Sequence, residues 1–401
     1  DPFVLAVLWN GDVHIRACRA NSLFEPALYL IGPEDLSLVI AMLLAVQRVA
    51  VLPPGPIVLA LYLSDYSCLA DRHLIGPGLP IFAYLRRETS WLIPWPSSFT
   101  LHSTMQVEDS RTGLSGNISD QSAWSSRVGR AYWIGTVTGP WELVPDAVLT
   151  ALPRLHLLKL ASQHPKHLQV EWSGAATYGI SWIADSSSVQ GFHSNSSQKV
   201  RDLTGIKRSV YKRLNNFSKF KYYINVDGVV MGGRFNKLLA MGGVVLQQDA
   251  GYYEHLNALA RPYEHYVPIR YDLSDLVAKI EWLQEHDDVA QRIAKQGQEL
   301  ALGRMRLEDD LCYVWRALEA ITSRTAPRFV TDPLAVDERL AALRFTKVSL
   351  QNASIRDTLQ AFWGAPLEDV KTGSRQMTST GIKLVQWAWD RFEAVGRKAL
   401  V

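Results

Sequence analysis

Cysteine is scarce in this 401-residue chain: Cys18, Cys68 and Cys312 are all it has, which allows one disulfide at most and leaves an odd thiol. A disulfide-built scaffold is excluded. Charge of one sign is missing too, because 42 Lys and Arg face 39 Asp and Glu, and a formal charge of +3 provides no electrostatic footprint for nucleic acid. No apolar run reaches the roughly 20 residues that span a bilayer. The richest, Leu36 to Val46, lies between Asp35 and Arg48 and is expected to form a buried helix. Any membrane association would come from an anchor outside these residues. His-Glu-x-x-His, Gly-x-Ser-x-Gly and a Walker loop are all absent, and the cysteines are too far apart for a zinc pattern. Metalloprotease and hydrolase readings lose their support.

What is present is an ordinary folding composition, 47% hydrophobic and 20% charged, in a chain long enough to favour two domains. Continuous apolar runs at Phe3–Leu8, Ile57–Leu63, Leu168–Val170, Tyr222–Val226 and Val244–Leu246 predict strands buried on both faces, as in a parallel sheet flanked by helices. The class is α/β. Helices are predicted over 274–285 and 289–302, the first with Leu276, Ile280 and Leu283 on one stripe and Asp272 or Ser274 as its cap. Between 86 and 125 the chain turns to Pro, Ser, Thr and Gly, and 185–197 is a second polar stretch, so both are expected as surface loops. The best division falls near 160–167, and 331–401 is expected as an amphipathic helical tail. Four Asn-x-Ser sequons, at Asn117, Asn195, Asn216 and Asn352, favour a secretory-pathway protein.

Three places carry candidate chemistry. In the stretch from Lys221 to Asp249 a strand runs past Asp227 and Gly228 into Gly232, Gly233 and Arg234, then into an apolar helix. Backbone N–H groups at such a helix start can face an anion, and a guanidinium can grip a diphosphate with two hydrogen bonds. The plainer alternative is a glycine turn with Arg234 paired to a carboxylate. The second place is Val170–Gly179, a strand running into a small-residue turn that includes Trp172, Ser173, Gly174, Ala175 and Thr177. The third is Asp65, just past the apolar strand at 57–63, where open α/β sheets place ligands and a carboxylate can take a proton from a hydroxyl. Trp91 and Trp95 fall in the proline-rich excursion, where a ring is more readily exposed to meet a sugar. No Asp-x-Asp occurs, so any bound phosphate has to be neutralised by protein groups.

Taken together, these residues resemble glycosyltransferase family 90, which includes the protein O-glucosyltransferases and O-xylosyltransferases. The resemblance rests on KYYINVDG, GGRFNKLLAMGGVVLQQDAGYYEHL, YEHYVPIRYDLSDLVAKIEWLQEHDDVAQRIAKQGQ and LEDDLCYVWRAL between Lys221 and Ser323, and on LYLSDY followed by LPIFAYLRRETSWLIPWPSS upstream. It implies a GT-B fold: an acceptor-side Rossmann-like domain at 1–165, a UDP-sugar-binding one at 166–325, a cleft between them, and a helical extension at 326–401 packing back on the body. It also implies an inverting, metal-independent transferase with no cofactor. In that reading UDP-xylose or UDP-glucose is the donor, a glycan or glycoprotein is the acceptor, and the compartment is the lumen of the Golgi or endoplasmic reticulum. Carried over by position, Asp65 is the general base. Trp172, Ser173, Gly174, Ala175, Thr177, Asp227, Gly232, Gly233 and Arg234 surround the donor, and Tyr66, Trp91 and Trp95 face the acceptor. Cys312 matches a family cysteine whose partner lies near the N-terminus.

The chain also departs from the pattern. An arginine expected beside Trp172 is missing, none follows Thr177 before Val200, and Asn236 stands where a lysine is common. Either another cation substitutes or donor preference differs. The departures leave open a catalytically inactive glycan- or nucleotide-binding protein of the same fold.

Overall fold

The computed structural model describes residues 3–18, 33–50, 55–62, 80–87, 92–97, 123–139, 152–177, 200–209, 214–228, 232–249, 251–324 and 333–349, with isolated positions elsewhere. These fall into two compact units, one built from Asp1–His102 with Leu307–Val401, the other from Ser103–Arg306.

The first unit begins with β1 (Phe3–Trp9) and β2 (Asp12–Cys18). Asn10 and Gly11 between them have φ of 52° and 81°, and Trp9 pairs with Asp12, so the strands close as a two-residue hairpin that needs left-handed backbone at both turn positions. Helix α1 (Pro33–Val49) follows, with Leu38 to Val46 all buried because its apolar residues run round every side. Then come β3 (Ile57–Tyr62), β4 (Ile81–Ala83), the two-residue β5 (Arg86–Arg87) and β6 (Ile93–Pro94). Strands β3, β4 and β6 are parallel, but β1 is antiparallel to both β2 and β3. This sheet is therefore mixed, where the apolar runs had predicted a parallel one: the tight Asn-Gly turn forces β2 back alongside β1.

In the second unit β7 (Val128–Gly139), α2 (Pro153–Gln163), β8 (Leu168–Thr177), β9 (Phe220–Asn225), α3 (Phe235–Ala240), β10 (Val244–Asp249), the two-residue β11 (Tyr252–Tyr253), β12 (Val267–Arg270), α4 (Leu276–Glu285) and α5 (Asp287–Arg304) follow in order. Its sheet runs β12-β10-β9-β7-β8 with every pair parallel. Side chains alternate between two cores. Trp133, Tyr222 and Val244 pack under α2 and α4, while Tyr132, Tyr223 and Val245 pack under α3. The cap of α4 differs from expectation. Helix α4 starts at Leu276, and Asp272 instead accepts hydrogen bonds from the N–H and hydroxyl of Ser274.

The boundary expected near 165 is corrected. Strand β7 and helix α2 belong with the downstream sheet, because β7 is the central strand on which both β8 and β9 pair. The C-terminal segment is corrected too. After α6 (Leu307–Arg324) and α7 (Pro333–Ala342) it adds a strand, β13 (Thr346–Val348), antiparallel to β2, so it is not helical throughout. Within that unit the Tyr313 hydroxyl on α6 donates to the Pro94 carbonyl, 2.8 Å away, and the Arg48 guanidinium lies 5.2 Å from the centre of the Trp389 ring. Among the described residues no helix is long and apolar enough to cross a membrane.

Gly243, between α3 and β10, marks the tightest approach in the second core. A Cβ there would enter the ring of Tyr223, which is held by Arg127 at its hydroxyl and by the Met241 carbonyl. Gly243→Ala is therefore expected to lower unfolding free energy by about 3 kcal/mol, read as a lower denaturation midpoint at unchanged slope.

Candidate functional site

The strand order of the second unit reverses at β7. Its successor β8 lies on one side, while β9, β10 and β12 extend on the other. Such a reversal leaves a crevice beyond the carboxyl ends of the two strands that flank it, here β7 and β9. Pairing between them stops early: Tyr132 opposite Tyr223 is the last pair, although β7 continues beside β8 as far as Gly139 opposite Thr177. Beyond Tyr132, then, the carbonyls of β7 have no ladder partner from β9. Two guanidiniums take them. Nη1 of Arg234 donates to the Ile134 carbonyl at 2.7 Å and Nη1 of Arg154 to the Thr136 carbonyl at 2.8 Å.

Arg234 is the N-cap residue of α3 and is half-buried, its guanidinium 6.0 Å from the centre of the Trp133 ring and 5.8 Å from that of Phe217. The N–H of Gly232 donates to Asp227 Oδ1 at 3.0 Å and that of Arg234 to the Gly232 carbonyl at 2.7 Å, so these two amides are already used within the protein. The loop glycine has its cause inside the protein. A Cβ on Gly232 would lie 2.7 Å from Asn225 Oδ1, so Asn225 and not a ligand demands the glycine. Gly233, beside it, accepts from the Ser103 hydroxyl through its carbonyl.

Asn225 and Asp227 are buried at the end of β9. Asn225 Nδ2 donates to the Gly232 carbonyl and to Gln247 Oε1, and Gln248 Oε1 accepts from the Asp227 N–H. Asn225 Oδ1 and Asp227 Oδ2 have no hydrogen-bond donor among the described residues. Two buried acceptors without donors suit a ligand rich in hydroxyls. Burial, outweighing the Gly232 N–H and the charge of Arg154, raises the Asp227 pKa to about 6. Because the folded value lies above the ordinary 3.8, the native state holds this proton more tightly, and stability falls as pH rises from about 4 to about 6. Asp227→Asn is therefore expected to raise the melting temperature at pH 7.5, by up to about 3 kcal/mol in free energy, with the gain vanishing near pH 4.

Asn236 is buried and its amide donates to Thr104 Oγ1 at 3.2 Å, which makes it a structural tie. The next residue, Lys237, carries the charge instead. Burial, and then the neighbouring Arg234, push its pKa down to about 8. The first turns of α2 and α3 contain no acidic residue, whereas α5 opens with Asp287 and Asp288 and α6 with Glu308, Asp309 and Asp310. Arginines at two helix starts oppose the helix dipole unless an anion offsets them.

The expected small-residue turn after Val170 is corrected. Trp172, Ser173, Gly174, Ala175 and Thr177 continue as strand β8, paired with β7 and interrupted only by a bulge at Ser173, which is skipped between Gly135–Trp172 and Thr136–Gly174. Trp172 is fully buried with its indole N–H on the Ile206 carbonyl, and the Ser173 carbonyl accepts from Arg208 Nε. Strand β8 is the sheet edge, one strand away from the reversal. Trp95 is also corrected: expected as an exposed platform, it has no solvent exposure and meets Phe82 edge-on at 5.2 Å. Asp65, Tyr66 and Trp91 lie outside the described residues, as do three of the four sequons; Asn216 sits half-buried on a 3₁₀ turn. Cys312 is exposed and carries no disulfide.

Sequence reasoning missed β7 and Arg154. The signal was Ala131 to Gly139, an apolar run ending in the small residues Gly135, Thr136, Thr138 and Gly139.

A model of glycosyl transferase family 90 matches residues 64–327. The chain is 41% identical over 122 residues to Protein O-glucosyltransferase 3 of Rattus norvegicus, covering 30% of this chain and 23% of that protein. It is 24% identical over 228 residues to Protein O-glucosyltransferase 1 of Homo sapiens, covering 57% and 50%. The chain thus spans half or less of the length of these curated relatives. Among solved structures, Anabaena Alr3699/HepE in complex with UDP-glucose is similar at 12% identity and a TM-score of 0.36, covering 64% of this chain and 66% of that one. With well over half of its length matched by the family's pattern, and that stretch containing the whole crevice at β7 and β9, the chain belongs to glycosyl transferase family 90.

Proposed function

We propose that this protein is an inverting glycosyltransferase of GT-B architecture that moves glucose or xylose from a UDP carrier to a hydroxyl of a glycan or glycoprotein. The observation that carries the reading is the cationic crevice at the strand-order reversal, where Arg234 and Lys237 gather with no acid in either adjoining first turn. Membership of the family supports transfer, and relatives named as protein O-glucosyltransferases support glucose as the sugar and a protein as the acceptor.

In this mechanism Asp65 takes the proton of the acceptor hydroxyl as its oxygen bonds to the anomeric carbon. The bond from that carbon to the diphosphate breaks on the opposite side, and UDP leaves with the electron pair while Arg234 stabilises its growing charge. The missing Asp-x-Asp supports neutralisation by these side chains without a metal, and the four sequons support a lumenal location. Mass-detected transfer from a panel of UDP-sugars to simple glycosides and folded glycoprotein acceptors, with and without EDTA, is the test. The expected result is an inverted product from UDP-glucose or UDP-xylose that survives EDTA. Absence of product from every donor overturns the proposal.

A further inference from the structure

We propose that the segment from α7 to β13 is an acid-sensitive strap, docked on the β1–β2 hairpin while His14 is neutral and released when His14 gains a proton. His14 lies in the middle of β2, opposite Val7 of β1 on one side and Lys347 of β13 on the other, and directly opposed residues share a sheet face. Trp9 and Asp12, the next pair on that face, share it too. Helix α7 closes over it, since Val336 and Leu340 pack on Val7 together with Trp9 and Phe345. His14 is thereby buried, at 4% exposure.

Nothing beneath α7 is ready for an imidazolium. Nε2 of His14 is buried with no hydrogen-bond partner among the described residues, and the indole N–H of Trp9 on the same face already lacks an acceptor there. A protonated ring donates from both nitrogens and adds to that unmet demand. The charged groups acting on His14 come from three elements, Asp12 on β2, Lys347 on β13 and Asp337 on α7. Strand β1 contributes the uncharged Val7, and α1 reaches β2 through the uncharged Gln47, whose amide donates to the Asp12 carbonyl. Burial is the largest influence and holds the imidazole below its ordinary 6.5; Asp12 and Asp337 pull it up, and Lys347 pushes it further down. Asp337 is exposed, so water screens its pull. Asp12 is already engaged, its Oδ2 2.7 Å from Lys347 Nζ. An imidazolium therefore either stays without a carboxylate, which sets like charges opposite each other across the β2–β13 ladder, or draws Asp12 away from Lys347 and breaks the ion pair that ties β13 down. Both outcomes loosen the strap. Because the docked value lies below the released one, docking is at full strength above about pH 6.5 and weakens as pH falls from there, by up to about tenfold per pH unit until the docked value is reached.

The test is hydrogen exchange of the full chain at pH 7 and pH 5, corrected for the intrinsic pH dependence of amide exchange, with α7 and β13 amides read against those of the β1–β3 ladder. In wild-type protein the protection of α7 and β13 relative to that ladder should fall at least about fivefold on acidification. In His14→Gln, which cannot take up the charge, the ratio should stay within about twofold. A wild-type ratio that holds within about twofold overturns the proposal, and so does an equal fall in His14→Gln, because other groups would then carry the pH dependence. Should His14→Gln not fold, wild-type protein decides by NMR: the His14 imidazole resonances and the loss of β13 protection should follow one titration curve. A ring that stays neutral down to pH 5, or a loss of protection with a different midpoint, overturns it.

Discussion

Arg234→Ala is expected to weaken UDP binding by about 30- to 1,000-fold, the range set by losing about 2–4 kcal/mol of charge-assisted hydrogen bonding in a partly desolvated site. Transfer should slow at least as much, because the same guanidinium meets charge that grows as the diphosphate departs. Calorimetry with UDP and turnover at saturating donor separate the two effects. A drop in kcat beyond the loss in affinity marks stabilisation made mainly in the transition state. Lys237 supplies an internal check: its pKa is lowered first by burial and then by Arg234, so removing that charge should move it up toward the ordinary lysine range. Unchanged UDP affinity would remove Arg234 from the donor site.

Asp65→Asn is expected to cut kcat by about 10²- to 10⁴-fold while leaving UDP affinity within a factor of about two. The amide keeps the shape of the carboxylate but cannot accept the acceptor's proton, so the defect falls on chemistry alone. A near-normal rate would dismiss Asp65 as the base.

Much of the fold was legible because it depends on local pattern. The runs at Phe3, Ile57, Tyr222 and Val244 correspond to β1, β3, β9 and β10, and the 276/280/283 stripe to α4, since burial on both sheet faces or along one helix face writes a period into the chain. Strand β7 escaped because its polar Arg130 and threonines, with Arg127 just before it, interrupt the apolar run; Arg127 and Arg130 have partners distant in sequence, Gly242 and Gln169, which no local window contains. Trp95 was misjudged for a related reason: proline-rich surroundings suggest a loop, but Phe82 on a neighbouring strand closes over the ring.

By itself the sequence determined the α/β class, the parallel character of the downstream strands, the glycine-arginine segment at 232–234 and the absence of Asp-x-Asp, because each is a matter of residue type and near spacing. Tertiary structure alone decided that β7 is the strand where the order reverses, that Gly232 yields to Asn225, and that Arg154 and Arg234, eighty residues apart in the numbering, share one indole. The physical reason is that strand order and the early separation of β7 from β9 follow from long-range pairing. The carbonyls that separation leaves open select which distant cations gather at the crevice.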